Sequence, residues 1–245
     1  MNIKTLLSPL NAEELFFTGK TTVVIDVLRA TTTITTALNN GAREVIPVGS
    51  IEFAMKVSGN AFGGVTLLGG ERNITKISGF QLGNSPLEYE KETVAGKSVI
   101  LFTTNGTKAI VRGKFSDNLI VCCLNNIKAV AEHLLQLDKD PVILCAGSNG
   151  MFCVEDTLCA GLLIKELEKD KKIISLDDAS KASKLLVDST KGNVLPALLE
   201  SDHGRKLAEK GFEKDIEYAA ALNTIDIVPV YSSGTIKPEK IEPSS

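Results

Sequence analysis

Short apolar runs that break into polar loops and then into helical patterns restrict this chain more than any other feature. Val23-Val24-Ile25 runs into Asp26, then Arg29, then Thr31-Thr32-Thr33 and the helical run 34–38. A strand ending at Asp26, a polar loop and a threonine-capped helix N-terminus follow from that pattern. Val99-Ile100-Leu101-Phe102 likewise leads into Thr103-Thr104-Asn105-Gly106-Thr107 and a helix. Gly19-Lys20-Thr21 before the first run resembles Gly96-Lys97-Ser98 before the second, and a gapless alignment places Asp26 on Thr103. A third unit, 141–145, leads into Ala146-Gly147-Ser148-Asn149-Gly150. Its helix is expected from about Glu155-Asp156 to Glu168, with Leu158, Leu162, Leu163 and Leu167 on the apolar stripe. Further strands are expected at 44–48, 65–68 and 119–123, and helices at 50–56 and 127–137. This alternation predicts an α/β fold with a mostly parallel sheet, right-handed crossovers and an internal strand–loop–helix repeat.

The flanks read differently. Residues 1–18 suggest an amphipathic start with a short helix at 11–17, and 177–223 carry only helical patterns, broken by Gly192, Pro196, Gly204 and Gly211. A last strand is expected at 225–231, and 236–245, with two prolines and two serines, as a loose C-terminal tail. No low-complexity linker divides the 245 residues, so 1–245 is expected to be a single domain. A net charge of −3 and the absence of tryptophan give no basis for nucleic-acid binding. No apolar run approaches membrane-spanning length, and the first residues do not resemble a signal peptide. The five cysteines, an odd number without C-x-x-C spacing, read as reduced, buried thiols of a cytoplasmic protein.

Ligands of open α/β sheets bind beyond the carboxyl ends of the strands. On that rule five segments gather on one rim: 26–33, 69–73, 83–85, 103–107 and 147–156. They bring carboxylates (Asp26, Glu71, Glu155, Asp156), guanidinium groups (Arg29, Arg72) and hydroxyl or amide donors (Thr31, Thr32, Asn105, Thr107). Carboxylates beside anion-binding groups suit a magnesium ion bridging protein and phosphate. Each member also has a plainer reading. Asp26 could orient its own loop, Glu71-Arg72 could be a surface ion pair, Thr103–Thr107 an ordinary capped turn, and Glu155-Asp156 a complement to the helix dipole. Familiar motifs fail on inspection. A P-loop needs glycine where Glu14 and Lys91 stand, no G-x-G-x-x-G follows a strand, and Leu28 occupies the second aspartate position of a haloacid-dehalogenase motif. His203 reads as a helix-start residue rather than a catalyst, with Arg205 beside it as a second anion contact.

At these residues the chain resembles the 2-phosphosulfolactate phosphatase (ComB) family. The matching blocks are 23–33, Gly69-Gly70-Glu71-Arg72, 79–86, 103–107, Cys145-Ala146-Gly147 leading to Glu155-Asp156, and Ser201-x-His203-Gly204-Arg205. They span almost the whole chain in order. The resemblance implies a three-layer α/β/α fold and a magnesium-dependent phosphatase converting (R)-2-phospho-3-sulfolactate to 3-sulfolactate and phosphate, a step of coenzyme M biosynthesis in methanogens. The pathway does not follow from the family.

Such a substrate carries phosphate, carboxylate and sulfonate on three carbons, which asks for several cationic or N–H-rich contacts. The expected assignment puts Asp26, Glu71 and Asp156 around the metal. Arg29, Thr31, Arg72, Asn84, Ser85, Asn105, Gly106, Thr107 and Arg205 hold the anionic groups, and Asp26 and Arg29 lie nearest the chemistry. A metal-activated water is the expected nucleophile, with direct attack by Asp26 as the rival. Phosphatases of other 2-phosphohydroxy acids and a non-catalytic organic-anion sensor are the competing functions. The helical segment 177–223 is expected to cover the site or to join subunits of a homo-oligomer.

Overall fold

The computed structural model describes residues 1–10, 12–58, 65–170 and 175–239. Its strands are β1 (Asn2–Leu6), β2 (Thr21–Ile25), β3 (Glu44–Pro47), β4 (Thr66–Arg72), β5 (Thr75–Lys76), β6 (Ser98–Phe102), β7 (Asn118–Cys122), β8 (Pro141–Cys145), β9 (Ser175–Leu176), β10 (Pro229–Ser232) and β11 (Thr235–Pro238). The helices are α1 (Ala30–Asn39), α2 (Ile51–Val57), α3 (Lys91–Val94), α4 (Gly106–Arg112), α5 (Ile127–Leu137) and α6 (Val154–Glu168). They continue with α7 (Asp178–Ser189), α8 (Leu195–Glu200), α9 (Asp202–Glu209) and α10 (Glu213–Ala219).

The eleven strands among the described residues form one sheet in the order β5-β4-β6-β3-β11-β10-β7-β2-β8-β1-β9. β2 is buried along its whole length, as a central parallel strand covered on both faces must be. Its alternation sorts the layers: Val23 and Ile25 pack with α5 and α6, while Val24 packs with Ile34 of α1 and Ile110 of α4. Ile46 and Ile100 of β3 and β6 turn instead toward Ala54 of α2. The result is the expected mostly parallel, three-layer α/β arrangement.

Two sets of parallel strands make up this sheet. β4-β6-β3 is one, β7-β2-β8-β1-β9 the other, and the antiparallel hairpin β10–β11 joins them. The two-residue turn at Ser233 (φ 50°) and Gly234 (φ 90°) closes that hairpin with the backbone sign a tight right-twisting turn requires. Pairing senses therefore run the two sets in opposite directions across the hairpin. This corrects the one-rim expectation. Sheet twist of about 20–25° per strand accumulates over the five steps from β2 to β6 to roughly a right angle or more. The segments beyond both sets consequently meet, and Gly106, the first residue of α4, packs against Asp26 of the β2–α1 loop.

Other expectations need revision. The start is a strand, β1, whose alternating burial of Ile3 and Thr5 marks a period of two, and a 3₁₀ turn follows at Glu14–Phe17. Asn11, within the expected helix, lies outside the described residues. The strand expected at 65–68 runs on through Gly69-Gly70-Glu71-Arg72 as β4. The strand expected at 225–231 covers Pro229–Ser232, and the expected tail begins within a further strand, β11, that runs through Pro238. The rest of that tail, 240–245, lies outside the described residues.

Candidate active site

Asp26 follows directly from β2 and is buried, as expected for a side chain at the carboxyl end of a central strand. Thr31, the second residue of α1, donates its hydroxyl to the Asp26 carbonyl at 2.8 Å and accepts the Asp26 N–H at 3.0 Å. Thr107 does the same for Thr103, accepting its N–H at 2.9 Å and donating to its carbonyl at 3.1 Å. The two units that resemble each other in sequence thus close their loops in the same way. The Asp26 carboxylate accepts the Ala30 N–H at 3.1 Å and a bond from the Gly106 N–H. Burial nevertheless raises its pKa to about 7, with the neighbouring Glu71 and Glu155 charges adding to the effect.

Glu71 is fixed by two backbone donors, Thr104 N–H to Oε1 at 2.7 Å and Ile74 N–H to Oε2 at 2.8 Å. It thereby ties the β4–β5 turn, where Asn73 and Ile74 both have positive φ, to the loop before α4. Asp156 spends both oxygens on the first and third units, accepting Val27 N–H at 2.8 Å and Gly147 N–H at 2.9 Å. Burial first, then Asp26 and Glu155, push its carboxyl well above the usual range. Glu155 is raised for the same leading reason, and its Oε2 has no hydrogen-bond partner among the described residues.

Arg29 is 3% exposed and paired to Asp215 of α10, Nη1 to Oδ2 at 2.5 Å. Its guanidinium lies 4.3 Å from the Phe212 ring centroid, and Ser85 donates to the other Asp215 oxygen at 2.8 Å. The arginine at the centre of the opening motif is therefore clamped from the helical segment, with its charge held at the cavity wall. The Leu28–Arg29 peptide is cis.

These groups surround a cavity of about 300 Å³. Of the residues singled out from the sequence, Asp26, Arg29, Glu71, Asn84 and Asn105 line it. Thr31, Ser85, Gly106, Thr107 and Asp156 do not; Thr31 holds Asp26, Ser85 bonds Asp215, the partner of Arg29, Asp156 joins the loops at Val27 and Gly147, Thr107 braces the Thr103 loop, and Gly106 packs on Asp26. Arg72 and Arg205 are corrected. Strand alternation sends Arg72 to the side opposite Glu71, onto a neighbouring surface depression with Lys108. Arg205 points to solvent and pairs with Asp202 at 2.7 Å.

The residue after Arg205 faces inward instead. His203, Lys206 and Lys210 recur at i, i+3 and i+7 on and just beyond α9, so one helical face lines the cavity. That spacing was readable, but nothing in it said that α9 would reach the strand ends. Burial lowers the His203 pKa to about 4, with the Arg29 charge adding to it, so its imidazole is neutral at neutral pH. Asn73, Ser148 and Asn149 are further lining residues, and Asn105 accepts the Asn149 N–H at 3.1 Å.

Among the described residues no three acidic, histidine or cysteine side chains gather as a protein-built metal cage. Asp156, expected as a third ligand, does not line the cavity and instead joins the loops at Val27 and Gly147. Asp26 and Glu71, both lining the cavity, are a donor set suited to magnesium, which commonly takes one or two carboxylates and completes its shell with water and phosphate oxygens.

An α/β sheet that turns carboxylates, amides and lysines onto one small polar cavity defines an enzyme-type site for a small, multiply charged anion. The model of the 2-phosphosulpholactate phosphatase family matches residues 8–234. A probable 2-phosphosulfolactate phosphatase of Caldanaerobacter subterraneus subsp. tengcongensis is 44% identical over 218 residues, 89% of this chain and 90% of its own. Its namesake in Clostridium tetani is 41% identical over 238 residues, 97% of this chain and 100% of its own. The chain belongs to the 2-phosphosulfolactate phosphatase family, whose name denotes phosphoric monoester hydrolases.

Proposed function

We propose that this protein is a magnesium-dependent phosphatase that hydrolyses (R)-2-phospho-3-sulfolactate to 3-sulfolactate and phosphate. The observation that carries the reading is the pairing of Asp26 and Glu71 on one cavity wall, in a chain that matches proteins named for this substrate along nearly its whole length. Asp26 and Glu71 would hold the metal, which when bound offsets phosphate charge and stabilises the phosphoryl group in transfer. Arg29, immobilised by Asp215 and Phe212, presents a fixed positive charge to the anion. Asn105 spends its amide oxygen on Asn149 and keeps its NH₂ group to donate to an oxyanion. Asn84, whose Oδ1 has no partner among the described residues, supplies a polar group to orient water. Asp26 is held by two backbone N–H groups, which suits a fixed carboxylate better than an attacking one, so water is the nucleophile.

The test is phosphate release from 2-phospho-3-sulfolactate with and without magnesium, followed by a single turnover in ¹⁸O water. Label in the released phosphate is expected. Label in Asp26 would replace the water route with a phosphoaspartate, and no magnesium-dependent release at all would remove the phosphatase reading.

A further inference from the structure

We propose that Lys206 determines specificity in this cavity by binding the sulfonate of the substrate; the proposal rests on the phosphatase reading above. Three cationic side chains line the cavity, Arg29, Lys206 and Lys210. Two are fixed in place by protein partners. Arg29 is paired with Asp215, and Lys210 donates to the Asn73 carbonyl at 2.9 Å and the Thr75 hydroxyl at 3.3 Å. His203, between them on the α9 face, is neutral at neutral pH because burial depresses its pKa. Lys206 alone of the three makes no hydrogen bond or ion pair with the described residues.

Charge and shape sort the substrate's three anionic groups. The Asp26 and Glu71 carboxylates accept a phosphate only with a cation between them and repel a bare sulfonate, which sends the sulfonate toward α9. The sulfonate also stands one bond further from the phosphate-bearing carbon than the carboxylate does, so it is the arm with the longer reach. A planar guanidinium matches a planar carboxylate, which fits Arg29. An ammonium with three donors on a flexible stem matches a pyramidal sulfonate, which fits Lys206. Lys210 contributes indirectly: by joining α9 to the β4–β5 turn it fixes the wall from which Lys206 projects.

Lys206 is exposed, so its replacement leaves the core intact. Two readouts keep the subsite separate from the activity. The first is calorimetric binding of 3-sulfolactate and of lactate, which lacks the sulfonate, to wild type, Lys206→Met and Lys206→Arg. Wild type should prefer 3-sulfolactate. Lys206→Met should weaken 3-sulfolactate binding about 10- to 100-fold, as expected for one lost charge-assisted hydrogen bond, and Lys206→Arg should recover most of it. The second is the ratio of kcat/KM on 2-phospho-3-sulfolactate to that on 2-phospholactate, which should fall by a similar factor in Lys206→Met, mainly through KM. Equal losses with and without the sulfonate would place Lys206 on phosphate or carboxylate and overturn the proposal. Unchanged 3-sulfolactate binding in Lys206→Met, or a wild type that does not prefer 3-sulfolactate to lactate, would overturn it as well. Sulfonate-dependent binding lost with Lys206 in a protein that releases no phosphate would uphold the subsite and refute the phosphatase.

Discussion

Replacing Gly106 by alanine should disable the site by displacing Asp26. A Cβ at position 106 would lie 2.4 Å from the Ala30 Cβ and 2.5 Å from Asp26 Oδ2. Ordinary contact begins at 3.4 Å, so something must yield by about 1 Å. Ala30 cannot move without α1, whose first turn is fixed to the Asp26 carbonyl by Thr31 N–H at 2.9 Å. The Asp26 carboxylate, the freer of the two neighbours, therefore shifts and loses its alignment with the Gly106 N–H. Displacement of a reacting or positioning group by about 1 Å costs roughly 100-fold in rate. Overpacking costs about 1–3 kcal/mol, whereas alanine in a helix gains roughly 0.5–1 kcal/mol over glycine, so the clash wins. The expected result is a fall of about 100-fold in kcat/KM, with a melting temperature lower by roughly 2–8 °C. Gly49→Ala, where a Cβ meets nothing within 4 Å, is the control and should match wild type in both measurements. A Gly106→Ala protein with wild-type kcat/KM and melting temperature would refute the packing argument and the place it gives Asp26.

Asp26→Asn keeps shape and removes charge; phosphate release should drop at least about 100-fold, and the thermal stabilisation produced by magnesium in wild type should disappear. Asp215→Ala leaves a buried guanidinium without its carboxylate and should cost about 3–5 kcal/mol in denaturant unfolding, a loss that a surface change such as Asp202→Ala should not reproduce. Stability of the metal-free protein should depend on pH through opposed terms. Asp26, raised from 3.8 to about 7, binds more protons folded than unfolded in that window, so its term falls as pH rises. His203, lowered from 6.5 to about 4, binds fewer protons when folded, so its term rises with pH between those values. Asp26→Asn should therefore make stability climb more steeply between about pH 4 and 6.5, and His203→Gln should make it decline more steeply; identical pH profiles in wild type and both variants would contradict the environments assigned to these groups.

Local pattern carried much of this architecture because the relevant interactions lie within a few residues. The apolar run 141–145 and the helical run 127–137 are the observed elements, and Ser50 accepts the Phe53 N–H as an N-cap should. The short alternation of Asn2–Leu6 is a weak signal because five residues carry little periodicity, and burial of Ile3 and Thr5 depends on β8, far along the chain. Site residues divided in the same way. Asp26 and Glu71 were marked by their place at strand ends, whereas Arg205 and Lys206 are neighbours on one helix and only the docking of α9 shows which faces the cavity.

By itself the sequence determined the alternating α/β pattern, the related strand–loop–helix units, the ordered motifs of the family and the position of Asp26 at the end of a central strand, since each is a property of spacing and residue type. The tertiary structure decided that two oppositely running parallel sets meet at one cavity, because twist accumulates over strands that are far apart in sequence. It also decided that Arg29 is clamped by Asp215, 186 positions away, that Asp156 braces two loops, and that Lys206 lines the cavity without a hydrogen bond or ion pair among the described residues. Charges and hydrogen-bonding groups acquire their roles from what lies within a few ångströms, and in this fold those neighbours come from opposite ends of the chain.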